Sequence, residues 1–178
     1  MELAGKLRDT MRHSYTPEGR RESVAEHSWR TPLMAYFVKD EFPELDMDKV
    51  ILMCLVHDLG EAFTGDVPSF YKTEQNESAE ESALYKWVSE LPEPYCFELK
   101  ALYDEMAELK TDEAKLYKAL DNMEAVLSHN EADIATWIPL EYELNVTYGA
   151  DKAAFSPYLK SLRELLAEQT IQKIERSK

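Results

Sequence analysis

An apolar helical run, Ile51-Leu52-Met53-Cys54-Leu55-Val56, stops at an imidazole beside a carboxylate, His57-Asp58. Two glycines and two further acids follow at once in Leu59-Gly60-Glu61-Ala62-Phe63-Thr64-Gly65-Asp66. The run predicts burial, and a buried charge without a counter-charge is expelled or protonated. A divalent metal ion is an economical partner, because neutral imidazole nitrogen and carboxylate oxygen are both good ligands. Neighbouring side chains do not share a helical face. His57 and Asp58 therefore converge on one ion only where the chain leaves the helix, and Gly60 is expected to supply that exit. Taken alone, the pair could equally cap a helix end.

The rest of the chain predicts helices, with no strand signal. Residues 2–11 carry Leu3, Leu7 and Met11 on one side and deliver Arg12 and His13 to the helix end. Residues 14–21, with Pro17 and Gly19, read as a loop bearing Arg20 and Arg21. Ser23-Val24-Ala25-Glu26 has the form of a capping box, so a helix starts at Val24 with His27 in its second turn. That helix is expected to be buried nearly all round and kinked at Pro32. Asp46 is the expected cap of a helix over 47–57, and the apolar turn 67–72, ending in Lys72, could wall a pocket. Amphipathic helices are predicted over 73–90 and 95–110, and another over 113–129, capped by Thr111 or Asp112. Asp121 falls among the inward positions of that last helix, where an acid needs something cationic to meet it. Helix resumes over 132–148, weakened by Pro139 and ended by Gly149, and a final helix covers 151–176. The expectation is an all-α, single-domain helical bundle of about seven or eight helices over 1–178. Its C-terminal helices lie at 132–176.

Charge narrows the partners. Lys and Arg number 20 against 35 Asp and Glu, a formal net charge of −15 that repels polynucleotides and anionic membranes. A small anion can still bind where a metal and a few arginines reverse the potential inside a cleft. Cys54 and Cys96 lack metal or disulfide spacing, and no apolar stretch approaches the roughly 20 residues of a membrane span. With no basic-then-apolar leader at Met1, a soluble cytoplasmic protein is expected. Apolar residues of the last two helices, Trp137, Ile138, Tyr142, Phe155 and Tyr158, read as surplus to one core and point to a homodimer.

His27, His57, Asp58 and Asp121 each sit where apolar neighbours predict burial. Two imidazoles and two carboxylates can hold a first-row divalent ion and leave room for water and substrate, so a metal hydrolase is the default. The fuller pattern joins Ser23-Val24-Ala25-Glu26-His27-Ser28 to His57-Asp58-Leu59-Gly60-Glu61-Ala62-Phe63-Thr64-Gly65-Asp66-Val67-Pro68 and to Leu120-Asp121-Asn122-Met123-Glu124-Ala125. In this it resembles the HD-domain metal phosphohydrolases, and is similar to their 5′-deoxynucleotidase branch, over a motif core at about 5–130.

The resemblance implies that His27, His57, Asp58 and Asp121 hold one divalent ion, typically manganese, cobalt or zinc. It implies Glu61 and Asp66 around the attacking water and the leaving group, and Arg12 on the phosphate of a (deoxy)nucleoside 5′-monophosphate. The branch usually has a Trp after that Arg, near the sugar. Here His13 stands there, so deoxyribose discrimination is not carried over. The residues themselves leave Arg20, Arg21 and Lys72 as further substrate contacts, and leave open whether Glu61 or Asp66 instead orients a histidine. Two other readings are an HD-fold oxygenase and a non-catalytic nucleotide-binding module. The first needs extra ligands for two irons, for which His13 and His129 have no obvious place. The second has no use for Glu61 and Asp66.

Overall fold

The amino-terminal expectation is the first to be corrected. In the computed structural model, which describes residues 1–178, helix α1 covers only Glu2–Lys6. The chain then forms an antiparallel hairpin of β1 (Met11–Tyr15) and β2 (Arg21–Ser23), with Met11 opposite Ser23 and Tyr15 opposite Arg21. Arg12 and His13 therefore lie on a strand. The hairpin buries Ser14, Glu22 and Ser23 rather than apolar side chains, so it carries no hydrophobic alternation that a sequence could display.

The remainder is the expected all-α bundle. Helices follow as α2 (Val24–Val38), α3 (Met47–Val56), α4 (Glu61–Thr64), α5 (Glu74–Ser89), α6 (Tyr95–Glu108), α7 (Asp112–Glu131), α8 (Glu141–Thr147), α9 (Ala150–Ala153) and α10 (Pro157–Arg176). The local signals at their starts hold. Ser23 and Glu26 close a capping box on α2, Asp46 accepts from the Lys49 amide (3.1 Å), and Thr111 accepts from the Ala114 amide (3.2 Å). The helix expected over 132–148 is instead a 3-10 turn at Ile134–Thr136 followed by α8, because Pro139 interrupts it and Glu141 takes the Ile138 amide to start a new helix beyond. The last helix is also split, with Ser156 capping α10 and Pro157 at its first position.

The core is one cluster of buried side chains in which α2 and α3 pack against α7. Val50, Met53 and Cys54 of α3 meet Leu116, Ala119, Leu120 and Met123 of α7, all fully buried. Truncating Met53 or Leu120 to Ala would cost about 2–5 kcal/mol. Helix α2 runs unbroken through Pro32 and buries His27, Thr31, Ala35 and Val38 as expected, but not its whole circumference. Trp29 is 63 % exposed and Phe37 78 %, with Leu33 and Tyr36 beside them on the outer face. The residues expected to be surplus turn largely inward. Trp137 is buried, and Phe155 and Tyr158 pack on the core. No helix is long and apolar enough to cross a membrane.

Candidate active site

Three helices and one turn bring the four expected donors together. His27 comes from the second turn of α2, His57 from the residue that ends α3, Asp58 from the turn beyond it, and Asp121 from the middle of α7. His27 Nε2 lies 3.1 Å from both His57 Nε2 and Asp121 Oδ1, and His57 Nε2 lies 3.3 Å from Asp121 Oδ1. Asp58 Oδ2 stands 3.2 Å from His57 Nε2 and 3.6 Å from His27 Nε2. Ligands held tetrahedrally about 2.1 Å from a common centre are about 3.4 Å apart, so the mutual spacing of His27, His57 and Asp121 fits a divalent ion, with Asp58 beside the two histidines. His27, His57 and Asp121 form a group that could hold a metal.

Gly60 does not supply the expected exit, since α3 has already ended at Val56 with His57 as its cap. The φ of −60° and ψ of −34° at Gly60 are helical, and its role is clearance, since a Cβ there would sit 2.8 Å from Glu80 Cγ. Gly65, at φ 81°, does take a conformation that disfavours side chains, and it turns the chain so that Asp66 reaches the cleft.

Both imidazoles are oriented from behind. His57 Nδ1 donates to the Cys54 carbonyl (2.8 Å), and His27 Nδ1 bonds Glu124 Oε2, so both Nε2 atoms turn toward the shared centre. Glu124 is fully buried and also meets Arg30 Nε (2.9 Å) and Arg12 Nη1 (3.5 Å). Burial works against charge on Asp121 and Asp58. Lys118 and His57 override it for Asp121, and His57 for Asp58, so both carboxyls are held below the usual carboxylate range.

A cleft of about 450 Å³ opens over the donors and is lined by Arg12, His13, Glu61, Asp66, Lys72 and Lys118 among others. Glu61 is buried with Oε2 unbonded, and burial, then Asp58, Asp66 and Glu80, pushes its carboxyl up to about 10. Burial also raises Asp66, against the pull of Arg12. Arg12 Nη1 donates to Glu22 Oε2 (2.7 Å), and its remaining nitrogens are left for a ligand in the cleft. Burial would favour loss of its proton, but Glu124 and Glu22 hold the guanidinium firmly charged. Lys72 is tied to Glu80 (2.7 Å) at the cleft wall. Arg20 and Arg21 do not line this cleft. Arg20 pairs with Glu26 on the outer face near Trp29, and Arg21 Nε donates to the Arg12 carbonyl (2.8 Å), bracing the strand that carries Arg12.

The HD domain family profile matches residues 4–163. The chain belongs to the HD domain family. It is 33 % identical over 135 residues to 5′-deoxynucleotidase HDDC2 of Homo sapiens, a match covering 74 % of this chain and 65 % of that protein. It is 31 % identical over 139 residues to 5′-deoxynucleotidase HDDC2 of Dictyostelium discoideum, covering 72 % and 73 %. The chain thus spans less than two thirds of the length of the human relative it matches. Among solved structures, a predicted metal-dependent phosphohydrolase from Magnetospirillum magnetotacticum MS-1 shares the fold with a TM-score of 0.79 at 24 % identity, over 96 % of this chain and 88 % of that one. A conserved hypothetical protein from Pyrococcus furiosus superposes with a TM-score of 0.68 at 28 % identity, over 94 % and 95 %.

Several residues of this HD domain's cleft, and of the buried charge network behind it, were not anticipated. Glu124 lies three residues after Asp121 on the inward side of α7, and the argument that singled out Asp121 applies to it equally. Lys118, which bonds Asp121 Oδ2 (2.7 Å), lies one turn before it on the same face. Glu22, His129, Glu141 and Asn145 carry no comparable pattern, because their burial depends on elements distant in sequence.

Proposed function

We propose that this HD domain is a metal-dependent phosphomonoesterase that hydrolyses (deoxy)nucleoside 5′-monophosphates to nucleoside and phosphate. The observation that carries the reading is the convergence of His27, His57, Asp58 and Asp121 beneath a cleft whose walls offer a guanidinium, one buried acid and one half-buried acid. The relatives named 5′-deoxynucleotidase support the choice of substrate.

In this reading the four residues hold one manganese, cobalt or zinc ion, the metals suited to mixed imidazole and carboxylate donors. When bound, such an ion supplies Lewis-acid charge to a phosphoryl oxygen and makes water easier to deprotonate. Arg12 binds the phosphate through the nitrogens that Glu22 does not use, a bidentate match that never loses its proton. Lys72 adds positive charge at the rim. Glu61 and Asp66 divide the two proton transfers, one taking the water's proton and the other supplying one to the departing 5′ oxygen. His13 faces the part of the substrate beyond the phosphate.

The test is phosphate release from dAMP, dGMP, dCMP, TMP and AMP by chelated protein reloaded with each metal. Release is expected only with metal, and is expected to vanish in Asp121→Asn. Full activity after chelation, or no release from any nucleotide with any metal, would refute the reading.

We further infer that residues 1–178 act as one domain, supported by the continuous core, and that the protein is cytoplasmic, supported by the two free thiols of Cys54 and Cys96. A homodimer through the outer face of α2 is supported by the exposed stripe of Trp29, Leu33, Tyr36 and Phe37. Phe37→Glu should shift the sedimentation coefficient from dimer to monomer. A monomeric parent protein would exclude that interface.

A further inference from the structure

The same cleft carries a second group of side chains, around His13, that takes no part in the metal binding and proton transfers above. Glu141, in the first turn of α8, is 1 % exposed, and its Oε2 accepts the Ile138 amide at 2.8 Å. Its Oε1 meets no donor in hydrogen-bonding geometry, although His13 Nε2 lies 3.1 Å away and His129 Nε2 3.4 Å away. His13 Nε2 is itself buried and unbonded, and so is the side-chain amide nitrogen of Asn145, one turn after Glu141. All four residues line the cleft. A buried carboxylate oxygen and a buried amide nitrogen left without partners cost stability unless something fills them.

The chemistry of this end differs from that of the metal end. Glu141 repels a phosphate, so an anionic group is not its ligand. Burial, then Arg12 and His13, lowers His129 to about 4, and its imidazole stays neutral. Phe70 stands edge-on to His13 with ring centroids 6.0 Å apart, and Val67 and Pro68 continue the apolar wall. His129 follows Asp121 by eight residues on one face of α7, about 12 Å along the helix axis. A neutral, partly aromatic group attached to a phosphate held near Asp121 would extend toward it.

We propose that Glu141, His13, His129 and Asn145 form the subsite that reads the nucleoside, with Glu141 Oε1 accepting a hydrogen bond from a sugar hydroxyl or a base amino group and the Asn145 amide donating one. This rests on the nucleotide reading above and adds where the uncharged half of the substrate is recognised.

The experiment is an NMR titration of deoxyadenosine, which lacks the phosphate, into wild-type protein and Glu141→Gln, with inorganic phosphate titrated alongside. The amide replaces an acceptor with a donor while keeping the shape and the bond to Ile138. Deoxyadenosine affinity should fall about tenfold or more, and phosphate affinity should stay within about twofold. With 2′,3′-dideoxyadenosine the Glu141 dependence disappears if the sugar hydroxyl is the donor. With the purine deoxyriboside that lacks the amino group, it disappears if the base is. His13→Phe, which keeps the ring and removes the nitrogens, should weaken deoxyadenosine as well, and serves if Glu141→Gln does not fold. Deoxyadenosine binding that is absent in wild type, or equal in wild type and both variants, overturns the subsite. Phosphate release from dAMP alongside such equal binding would overturn the subsite alone. Glu141-dependent binding with no phosphate release would uphold it and overturn the nucleotidase reading.

Discussion

The imidazole of His27 and the carboxylate of Glu124, 97 residues apart in sequence, are bonded Nδ1 to Oε2 where α2 crosses α7. The bond turns His27 Nε2 toward Asp121 and His57, and it joins these candidate metal donors to a chain of charge through Arg12, Arg30 and Glu22. A carboxylate behind a ligating histidine fixes its tautomer and raises its basicity. Glu124→Gln should therefore lower metal affinity about 10–100-fold, measured by calorimetric titration of the chelated protein. Unchanged affinity in a folded variant would show that Glu124 does not orient His27.

Glu61 lies in the cleft near the donors without belonging to their cluster, with a buried, unbonded oxygen. Glu61→Ala is expected to keep its metal, measured by elemental analysis, and to lose roughly 10²-fold or more in kcat. Loss of metal together with activity would make it a ligand instead.

Arg12 is both the proposed phosphate contact and the partner of two buried acids, so removing it outright leaves Glu22 and Glu124 uncompensated. Arg12→Lys avoids that by keeping the charge while losing the fork. It should raise KM for nucleotides with metal content unchanged. If kcat/KM stays within about twofold of wild type, a loss below roughly 0.5 kcal/mol, Arg12 does not hold the phosphate.

His129 ties stability to pH. Because burial, then Arg12 and His13, lowers it from the usual 6.5 to about 4, the unfolded chain takes up a proton near 6.5 and the folded one only near 4. Its contribution is complete above pH 6.5 and is lost as pH falls toward 4, by at most about 3 kcal/mol. Denaturant unfolding at several pH values across that window should show a shallower dependence in His129→Gln. An identical slope would mean that other groups set it.

The local signals in the sequence were sound where the physics is local. Ser23 with Glu26, Asp46 and Thr111 start their helices because a side-chain oxygen meets an amide three residues on, and no distant contact is needed. The convergence of His27, His57, Asp58 and Asp121 was legible for a related reason: a charge in the middle of an apolar pattern is conspicuous wherever it folds.

What remained was decided by tertiary structure. The β1–β2 hairpin was invisible because it buries Ser14, Glu22 and Ser23 in place of apolar side chains, and Glu22 is satisfied by Arg12 across the hairpin and by Ser128 of α7, 106 residues away. Gly60 is glycine because Glu80, twenty residues on, packs against it, and no reading of the turn itself contains that clearance. The exposed face of α2 looked like core because apolar composition records what could be buried, while only packing determines which side is. Glu141, His13 and Asn145 share one wall for the same reason: no periodicity links a strand at the start of the chain to a helix near its end. The sequence by itself determined α2, α3, α5, α6 and α7, the caps at Ser23, Asp46 and Thr111, and which charged residues fall among apolar neighbours, since each depends on residues a few positions away. The tertiary structure alone decided which polar groups meet across the cleft, because hydrogen-bond partners far apart in the chain are chosen by packing.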